Sequence, residues 1–291
     1  MKQKGQIKNM HALFIKDADR IDSAVWNEGE GIKGQSWHVD ITIEGSLDDN
    51  GFIYDFSLLK KTLKNTLKGC LDHALLVPNQ AKNILVTLEE DKIKVADGSF
   101  MFEGPANSVF FLPCQYVTRS AIESALNGIL KEKLPARVLR VRTKLREEES
   151  QKGAFFHYTH GITGHDGHCQ RLFHGHRSLI EVFINGKRRE DLESFLAGNL
   201  LKGSIHIGDE GQVSRKEAGL VHLAYRARDG VFKGTVPEER FLLVEKGTSI
   251  ETIVEFFAEK LSSYMEPKDH LEVYGYEGIG KGAMAERGGL H

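Results

Sequence analysis

Histidines are concentrated in one short stretch of the chain. Six of the 13 histidines lie between positions 157 and 176, in the segment HYTHGITGHDGHCQRLFHGH. His174 and His176 alternate along a predicted strand, so both imidazoles point to the same face. His160 ends the preceding strand, which we expect to pair antiparallel with the first. Three converging imidazoles suit tetrahedral zinc and leave its fourth position open, which is the catalytic arrangement. The alternatives are surface loop histidines or a purely structural metal site.

A cysteine lies between these histidines. Cys169 precedes His174 by a few residues. One interpretation is a small buried hydrophobic residue, which is the usual fate of a free cysteine. The other is a thiolate held beside a cationic zinc site, where it could act as a base. An open zinc can polarise a substrate hydroxyl or carbonyl and acidify the adjacent carbon-bound proton. This context favours the catalytic interpretation of Cys169.

The elements that must position these residues form an internal repeat. The segment KGQSWHVDITIEG (33–45) aligns without a gap on HGHRSLIEVFING (174–186), and the same offset places 14–19 over 155–160. Both long segments alternate apolar and polar residues, which is typical of half-buried strands. Both also end on glycine, as strands that lead into turns often do. We therefore predict two copies of one strand pair.

Helical patterns follow each strand pair. A helix is predicted to begin after Asp55, its N-cap, and a second one near 119–133 has a counterpart near 249–263. Both later helices lead into strand-like stretches, Val138–Leu145 and Leu271–Tyr276. The order in each half predicts an α+β fold, with antiparallel sheets and helices packed on one face.

Two segments interrupt this simple order. Residues 84–112 resemble an inserted β-hairpin, with glycines as breaks. Residues 151–160 could form the last strand of the first half, the first strand of the second half, or both.

The composition limits the classes of function. The 291 residues include 39 basic and 41 acidic side chains, for a net charge of -2. That balance argues against a broad nucleic-acid or anionic-membrane surface. The N-terminal MKQKGQIKNM lacks the apolar core of a signal peptide, and no apolar run is long enough to span a membrane. Three cysteines, an odd number, imply no disulfide framework, so we predict a cytoplasmic protein.

These motifs resemble the 6-pyruvoyltetrahydropterin synthase family, which includes bacterial 6-carboxytetrahydropterin synthase. The pieces of the family pattern are divided between the two halves of the chain. The second half carries Phe156-x-x-x-His160, Cys169, His174-Gly175-His176 and the late Glu277 of VYGYEGIGKGA. The first half carries Gly51-Phe52-Ile53-Tyr54-Asp55-Phe56, Leu59-Lys60 and Leu71-Asp72-His73.

Each half lacks what the other half keeps. In the gap-free alignment, the first half has Asp19, Lys33 and Gln35 at the three ligand positions. Glu148 is assigned to the anchoring position that Glu277 has in the second half. Lys33 cannot bind zinc at neutral pH, so we expect it to replace the charge of the metal and to pair with Asp19. The second half has no Asp-Phe and no Leu-Asp-His after its strand pair.

The resemblance implies a reason for this division. Family members place their active site between adjacent subunits, with the zinc ligands on one subunit and the Asp-His pair on its neighbour. Fusion of two subunits would let each half keep one side of a site. The resemblance therefore implies two fused tunnelling-fold modules, 10–150 with its zinc ligands lost and 151–291 with its zinc site kept. Such modules assemble into rings, so a homo-oligomer is expected.

The resemblance also implies roles for individual residues. Cys169 would move the carbon-bound proton, while Asp72 would orient His73 to relay a proton on the opposite face. Glu277 would accept hydrogen bonds from the N–H groups of the pterin. The alternative for Asp72 and His73 is a pair at a helix C-terminus that complements the helix dipole.

Thr248 is a weaker candidate for a pterin contact. Thr248 and Glu251 have the spacing of a capping box, so a structural role is predicted first.

The implied reaction is a zinc-dependent lyase reaction on a small pterin triphosphate. It converts 7,8-dihydroneopterin triphosphate to 6-carboxytetrahydropterin, with loss of triphosphate and acetaldehyde, a step toward deazapurine nucleosides (queuosine biosynthesis). The alternatives are 6-pyruvoyltetrahydropterin synthesis and, in another class, a pterin- or zinc-binding protein without turnover. No nucleic acid or membrane is expected as a partner.

Overall fold

The structure, a computed structural model, describes residues 10–150 and 153–288 and consists mainly of β-strands. The expected module ends at 151 and 291 lie outside these ranges. In chain order the strands and α-helices are β1 (His11–Asn27), β2 (Gly31–Gly45), α1 (Phe56–Cys70), β3 (Leu75–Pro78), β4 (Leu85–Glu89), β5 (Lys92–Ala96), β6 (Met101–Pro105), β7 (Val109–Leu112), α2 (Arg119–Lys133), β8 (Val138–Arg146), β9 (Ala154–His160), β10 (His174–Ile184), β11 (Lys187–Arg188), α3 (Glu190–Phe195), β12 (Ser204–Asp209), β13 (Val213–Glu217), β14 (Leu220–Ala227), β15 (Gly230–Pro237), β16 (Phe241–Val244), α4 (Ile250–Leu261), β17 (Leu271–Tyr276) and β18 (Gly282–Arg287).

The first sheet has the spatial order β7-β3-β1-β2-β8. The long strands β1 and β2 pair antiparallel, as do β2 and β8. In contrast, β3 runs parallel to both of its neighbours, β1 and β7. The sheet is therefore mixed, and the prediction of an antiparallel sheet is wrong for this edge. Parallel neighbours need a long crossover connection, and helix α1 lies in the connection between β2 and β3.

The second sheet repeats this order with the strands of the second half. Its spatial order is β16-β12-β9-β10-β17-β18, and β11 also pairs with β10. The directions repeat as well, because β9, β10 and β17 are antiparallel whereas β9, β12 and β16 are parallel. β9 thus belongs to this sheet, which resolves the ambiguity over residues 151–160 in its described part.

The predicted helices form where the sequence placed them. Asp55 caps α1 by accepting a hydrogen bond from Leu58 N at 2.9 Å. The apolar residues of α1 and α2 are buried against the first sheet, and those of α4 against the second. Helix α3 was not predicted; it is short and continues as a π-helical turn over Leu196–Leu200. Within the described ranges, none of the helices has the length and apolar character needed to span a bilayer.

A third sheet joins the two halves. The segment predicted as a hairpin at 84–112 forms three strands, β4 to β6, and then β7, which belongs to the first sheet. The second half contributes a matching trio, β13 to β15, and the two trios meet where β15 pairs antiparallel with β6. Aromatic side chains from both trios, Phe102 and Phe232, are fully buried beneath this sheet. The hairpin prediction was too simple because its partner strands lie far away in the sequence.

The first and second sheets make their closest approach at two glycines. A β-carbon on Gly34 would lie 1.9 Å from the carbonyl oxygen of Tyr158, and one on Gly175 would lie 2.6 Å from Gly34 Cα. These glycines occupy the same position in the two aligned strands, β2 and β10. No side chain fits between the two backbones, which places the end of β2 directly against the strand that carries His174 and His176.

Candidate active site

Three histidines from β9 and β10 converge at one end of the second sheet. His160 and His174 are directly opposite each other in the strand register, and His176 follows on the same face as His174. The three ring centroids are 4.3–5.3 Å apart, and all three residues are fully buried. The structure therefore brings together the three residues that the sequence analysis assigned to zinc.

The outward ring nitrogens of these histidines are engaged by the protein. His160 Nδ1 donates a hydrogen bond to the carbonyl oxygen of Thr248 at 2.7 Å, and His174 Nδ1 donates to that of Arg171 at 3.0 Å. These bonds leave the Nε2 lone pairs of both rings facing inward. His174 Nε2 has no hydrogen-bond partner in the described structure. Burial and the neighbouring histidines hold the pKa of His160 and that of His174 well below the usual value. Neutral imidazoles with free inward lone pairs are the form that binds a metal.

A carboxylate completes this donor set. Glu277 Oε1 lies 4.0 Å from His160 Nε2, and the ligand atoms of Glu277 and the three histidines all lie within 4.8 Å of one another. His160 Nε2 also lies only 3.3 Å from His176 Nε2. A cluster of three buried imidazole nitrogens and one carboxylate oxygen has the chemistry of a zinc site. The geometry thus permits two roles for Glu277, as a ligand of the metal and as the predicted pterin anchor.

An Asp-His-Cys chain lies beside the histidine cluster. Asp72 Oδ2 is 3.0 Å from His73 Nδ1, and His73 Nε2 is 3.3 Å from Cys169 Sγ. Asp72 and His73 follow the end of α1 in the first half, whereas Cys169 lies in the short helical turn His168–Gln170 of the second half. The His73 ring centroid is 5.2 Å from that of His174. The predicted residues of both halves therefore meet within one chain.

The backbone at His73 is held in an unusual conformation. Its φ of 58° lies in the left-handed region, and its N–H donates to the carbonyl oxygen of Asp22 at 2.7 Å. Burial lowers the pKa of an imidazole, but the hydrogen bonds and charges of Asp72 and Cys169 outweigh it and raise the pKa of His73 to about 10. His73 thus carries a proton at neutral pH, directed toward the sulfur of Cys169.

Asp22, which was not among the predicted site residues, connects the two parts of the site. Asp22 lies in β1, and its Oδ1 is 3.3 Å from His176 Nδ1 and accepts a hydrogen bond from Ser36 Oγ at 2.5 Å. Its own backbone N–H donates to Asp72 Oδ1 at 3.1 Å. The only signal in the sequence was a carboxylate among apolar residues in the strand segment RIDSAVW.

Lys281 lies on the other side of the Asp22 carboxylate. Its Nζ is 3.6 Å from Asp22 Oδ2 and 3.4 Å from Glu277 Oε2. Burial raises the pKa of a carboxyl group, but His176, Lys281 and Ser36 outweigh it and hold the pKa of Asp22 well below its usual value. Asp22 is therefore an ionised carboxylate of the first half that orients a histidine of the second.

The gap-free alignment gave wrong counterparts in the first half. The connection from β1 to β2 is much shorter than the one from β9 to β10, so the gap-free alignment does not follow the strand register. Asp19 lies opposite Val39, whereas Lys33 lies opposite Val25. Because His174 lies opposite His160, the counterpart of His160 by register is Val25. Asp19 is six residues away along β1, or about 20 Å, so the predicted pairing of Lys33 with Asp19 is wrong.

The strand register also changes which glutamate of the first half corresponds to Glu277. Val39 pairs with Leu145 in the first sheet, and its counterpart Ile180 pairs with Gly275 in the second. Each strand ends one residue later, β8 at Arg146 and β17 at Tyr276. Glu147 and Glu277 are the next residues, so Glu147 rather than Glu148 occupies the position that corresponds to Glu277.

Thr248 lies behind the histidine cluster. It is buried, its carbonyl oxygen holds His160, and its Oγ1 donates to the carbonyl oxygen of Gly161 at 3.1 Å. The N-cap of α4 is Ser249, so Thr248 and Glu251 do not form the predicted capping box. The contacts of Thr248 are those of a residue that positions His160.

Comparisons with known proteins found one family model and several solved structures. A sequence model of the family described as 6-pyruvoyl tetrahydropterin synthase matches residues 9–146. No curated protein matches the chain. Among solved structures, a catalytic-residue mutant of Plasmodium vivax 6-pyruvoyltetrahydropterin synthase is 19% identical, over 49% of this chain and 94% of that chain, with a TM-score of 0.41. Plasmodium falciparum 6-pyruvoyl tetrahydropterin synthase is also 19% identical, over 51% and 97%, with a TM-score of 0.40. The first half of the chain, residues 9–146, is thus similar in sequence to the 6-pyruvoyl tetrahydropterin synthase family.

Proposed function

We propose that the chain consists of two fused tunnelling-fold modules, 10–150 and 151–291, that share one zinc-dependent active site. The proposed reaction converts 7,8-dihydroneopterin triphosphate and one water to 6-carboxytetrahydropterin, triphosphate and acetaldehyde. The observation that carries this proposal is the 3.3 Å contact between His73 Nε2 of the first half and Cys169 Sγ of the second. A base and a proton donor assembled across the two halves, beside a metal-binding cluster, are what a tetrahydropterin synthase reaction needs.

The donor set supports zinc as the resident metal. His160, His174 and His176 would hold the ion, because their inward nitrogens are close together and two of the rings are fixed by backbone carbonyls. Bound zinc would polarise the side-chain oxygens of the substrate and make the neighbouring carbon-bound proton more acidic.

Cys169 and His73 would carry out the proton transfers. Cys169 as a thiolate would accept the carbon-bound proton of the substrate. His73, kept protonated by Asp72, would stabilise that thiolate and would hold a proton at Nε2 for delivery to the substrate. Asp72 is itself fixed by the backbone N–H of Asp22, so the proton donor and the metal-binding cluster are oriented by one segment of β1.

Glu277 and Lys281 would bind the substrate at the open side of the site. The histidines are fully buried, whereas the side chain of Glu277 is 18% exposed and that of Lys281 is 50% exposed. The Glu277 carboxylate would accept hydrogen bonds from the amino and ring N–H groups of the pterin. Lys281 is the cation that the described structure places against this carboxylate, and it would attract the anionic part of the substrate.

The proposal is tested by turnover of 7,8-dihydroneopterin triphosphate by zinc-loaded protein, with products identified by mass spectrometry. We expect 6-carboxytetrahydropterin from the wild type and none from Cys169→Ala or His73→Ala, both of which should keep their zinc. The matched control is His165→Ala, which removes an exposed histidine of the same loop and should leave turnover unchanged.

Other outcomes would change the proposal in defined ways. A 6-pyruvoyl product would keep the site and change the reaction. Full zinc occupancy without turnover would exclude catalysis on this substrate and leave a pterin- or zinc-binding protein. Loss of zinc in Glu277→Gln would make Glu277 a metal ligand, whereas loss of pterin binding with zinc retained would make it the anchor. The homo-oligomer stays a prediction, to be tested by light scattering.

A further inference from the structure

A cavity separate from the candidate active site lies in the first half of the molecule. It measures about 300 Å³ and lies where the end of the β1–β2 pair meets the N-terminus of α2. Its lining includes Lys33, Gln35, Trp37, Arg119 and Glu147. That volume is at the lower end of the range of small-molecule pockets, so it suits a bicyclic ring system without a triphosphate tail.

This cavity occupies the place that the histidine cluster has in the second half. By strand register, Lys33 corresponds to His174, Gln35 to His176, and Glu147 to Glu277. The first-half cavity therefore keeps a carboxylate at the position of Glu277 but has no metal-binding side chain at the other two positions.

Two buried polar atoms on its wall lack partners. Trp37 is 2% exposed, and neither its Nε1 nor Gln35 Oε1 has a hydrogen-bond partner in the described structure. The other tryptophan behaves differently, because Trp26 Nε1 donates to Asp97 Oδ2 at 2.8 Å. Buried polar groups are nearly always hydrogen-bonded, so an unpaired donor and an unpaired acceptor on a cavity wall are available to a molecule in the cavity, either a ligand or water.

The charges of the lining define the chemistry of that molecule. Lys33 and Arg119 are balanced by two carboxylates, those of Glu30 and Glu147. Glu147 Oε2 lies 3.7 Å from Arg177 Nε, and Tyr116 at the cavity edge is hydrogen-bonded to Glu30. A balanced lining favours a neutral ligand over an anion, and the mixture of unpaired donor and acceptor favours one that has both kinds of group.

We infer that this cavity is a second binding site for a neutral, planar, amide-bearing heterocycle of the pterin class, which it binds without chemistry. The Glu147 carboxylate accepts the N–H groups of the ring, Trp37 Nε1 donates to a ring acceptor, and Gln35 Oε1 accepts a further N–H. The choice of ligand class rests on the proposed function, whereas the cavity and its unpaired atoms do not. None of the described residues that line this site corresponds to Cys169, His73 or the three histidines, so the ligand stays intact.

The test is calorimetric titration of the zinc-loaded protein with neopterin, which lacks the triphosphate. The expected result is two bound molecules per chain. Glu147→Gln should weaken one binding event at least about 10-fold, and Glu277→Gln should weaken the other. The matched control, Glu149→Gln, replaces a neighbouring glutamate outside this cavity and should keep both events. Quenching of Trp37 fluorescence should accompany only the event that Glu147→Gln weakens.

The inference is overturned by a single bound neopterin that Glu277→Gln removes, by no binding at all, or by two events that Glu147→Gln leaves intact. Failure of the proposed function is a separate result. It would show as absence of turnover by the wild type, whatever number of neopterin molecules is bound.

Discussion

The β1–β2 pair and the β9–β10 pair end in the same backbone arrangement, but they carry different side chains there. In the second half, His160 and His174 face each other across the strands, and both are fully buried. In the first half the same two positions hold Val25 and Lys33. A change of a few side chains on one strand pair thus separates a metal-binding cluster from a small cavity without metal ligands.

At the neighbouring strands, β3 and β12, it is the first half that carries the polar site residues and the second half that lacks them. Asp72 and His73 precede β3 in the first half, and by register their counterparts at the start of β12 are Gly203 and Ser204. Each half therefore keeps the groups that the other lacks. The comparison teaches that the Asp-His-Cys chain needs both halves, because His73 follows α1 of the first half and Cys169 lies in the His168–Gln170 turn of the second.

The largest effect is expected when the second half receives the lysine of the first. His174→Lys should lose bound zinc, and turnover should fall by at least about 1,000-fold, as when a group on which the chemistry depends is removed. Zinc content by mass spectrometry and product formation measure this. The reciprocal variant Lys33→His should gain no zinc, because Val25 is not a ligand; a second zinc in that variant would contradict the comparison.

The second largest effect is expected from a substitution at Gly34, where the first and second sheets are in contact. Gly34→Ala places a methyl group against the Tyr158 carbonyl oxygen, so the two backbones must separate, at a cost of about 3 kcal/mol or more in the free energy of unfolding. Urea unfolding measures this cost. Gly69→Ala in α1 is the control: its β-carbon meets no atom within 4 Å, and alanine favours a helix. Equal stability of the two variants would exclude the close approach.

His206 makes the second half sensitive to acid where the first half has Leu75. Burial lowers the pKa of His206 to about 3, from a usual value of 6.5. Between pH 6.5 and 3, His206 is therefore protonated in the unfolded chain and neutral in the folded chain. The free energy of unfolding decreases as the pH falls through this range. Between pH 7 and 4.5 this amounts to about 2 to 3 kcal/mol. His206→Leu should remove that part of the pH dependence in urea unfolding, and the exposed His165→Leu should not.

The smallest effect is expected from a substitution of Asp22, which would act on the metal only indirectly, through its contact with His176. Asp22→Asn keeps the shape of the side chain but loses the charge beside His176, and loss of such an outer partner weakens metal affinity about 10- to 100-fold. Competition with a chromogenic chelator measures it. Asp17→Asn on the same strand, with a 47% exposed side chain paired to His38, should leave zinc affinity unchanged. Equal zinc affinity in the Asp22→Asn and Asp17→Asn variants would show that Asp22 has no role in metal binding.

The sequence by itself determined the local elements and which three histidines form the buried cluster. Alternating apolar residues gave β2 and β10, the Asp55 cap gave the start of α1, and the spacing of His160, His174 and His176 placed three imidazoles together. These features follow from short-range periodicity, which depends only on backbone geometry and on the burial of one face.

Only the tertiary structure decided the register, the third sheet and the role of Asp22. The connection between β1 and β2 is shorter than the one between β9 and β10, so alignment by sequence gave Asp19 where the structure has Val25. The six-stranded sheet forms from strands more than a hundred residues apart, such as β6 and β15. The contact of Asp22 with His176 likewise depends on how two sheets pack at Gly34 and Gly175. Contacts of this kind leave no periodic signal in the chain, because they are set by packing between elements rather than by the pattern within one.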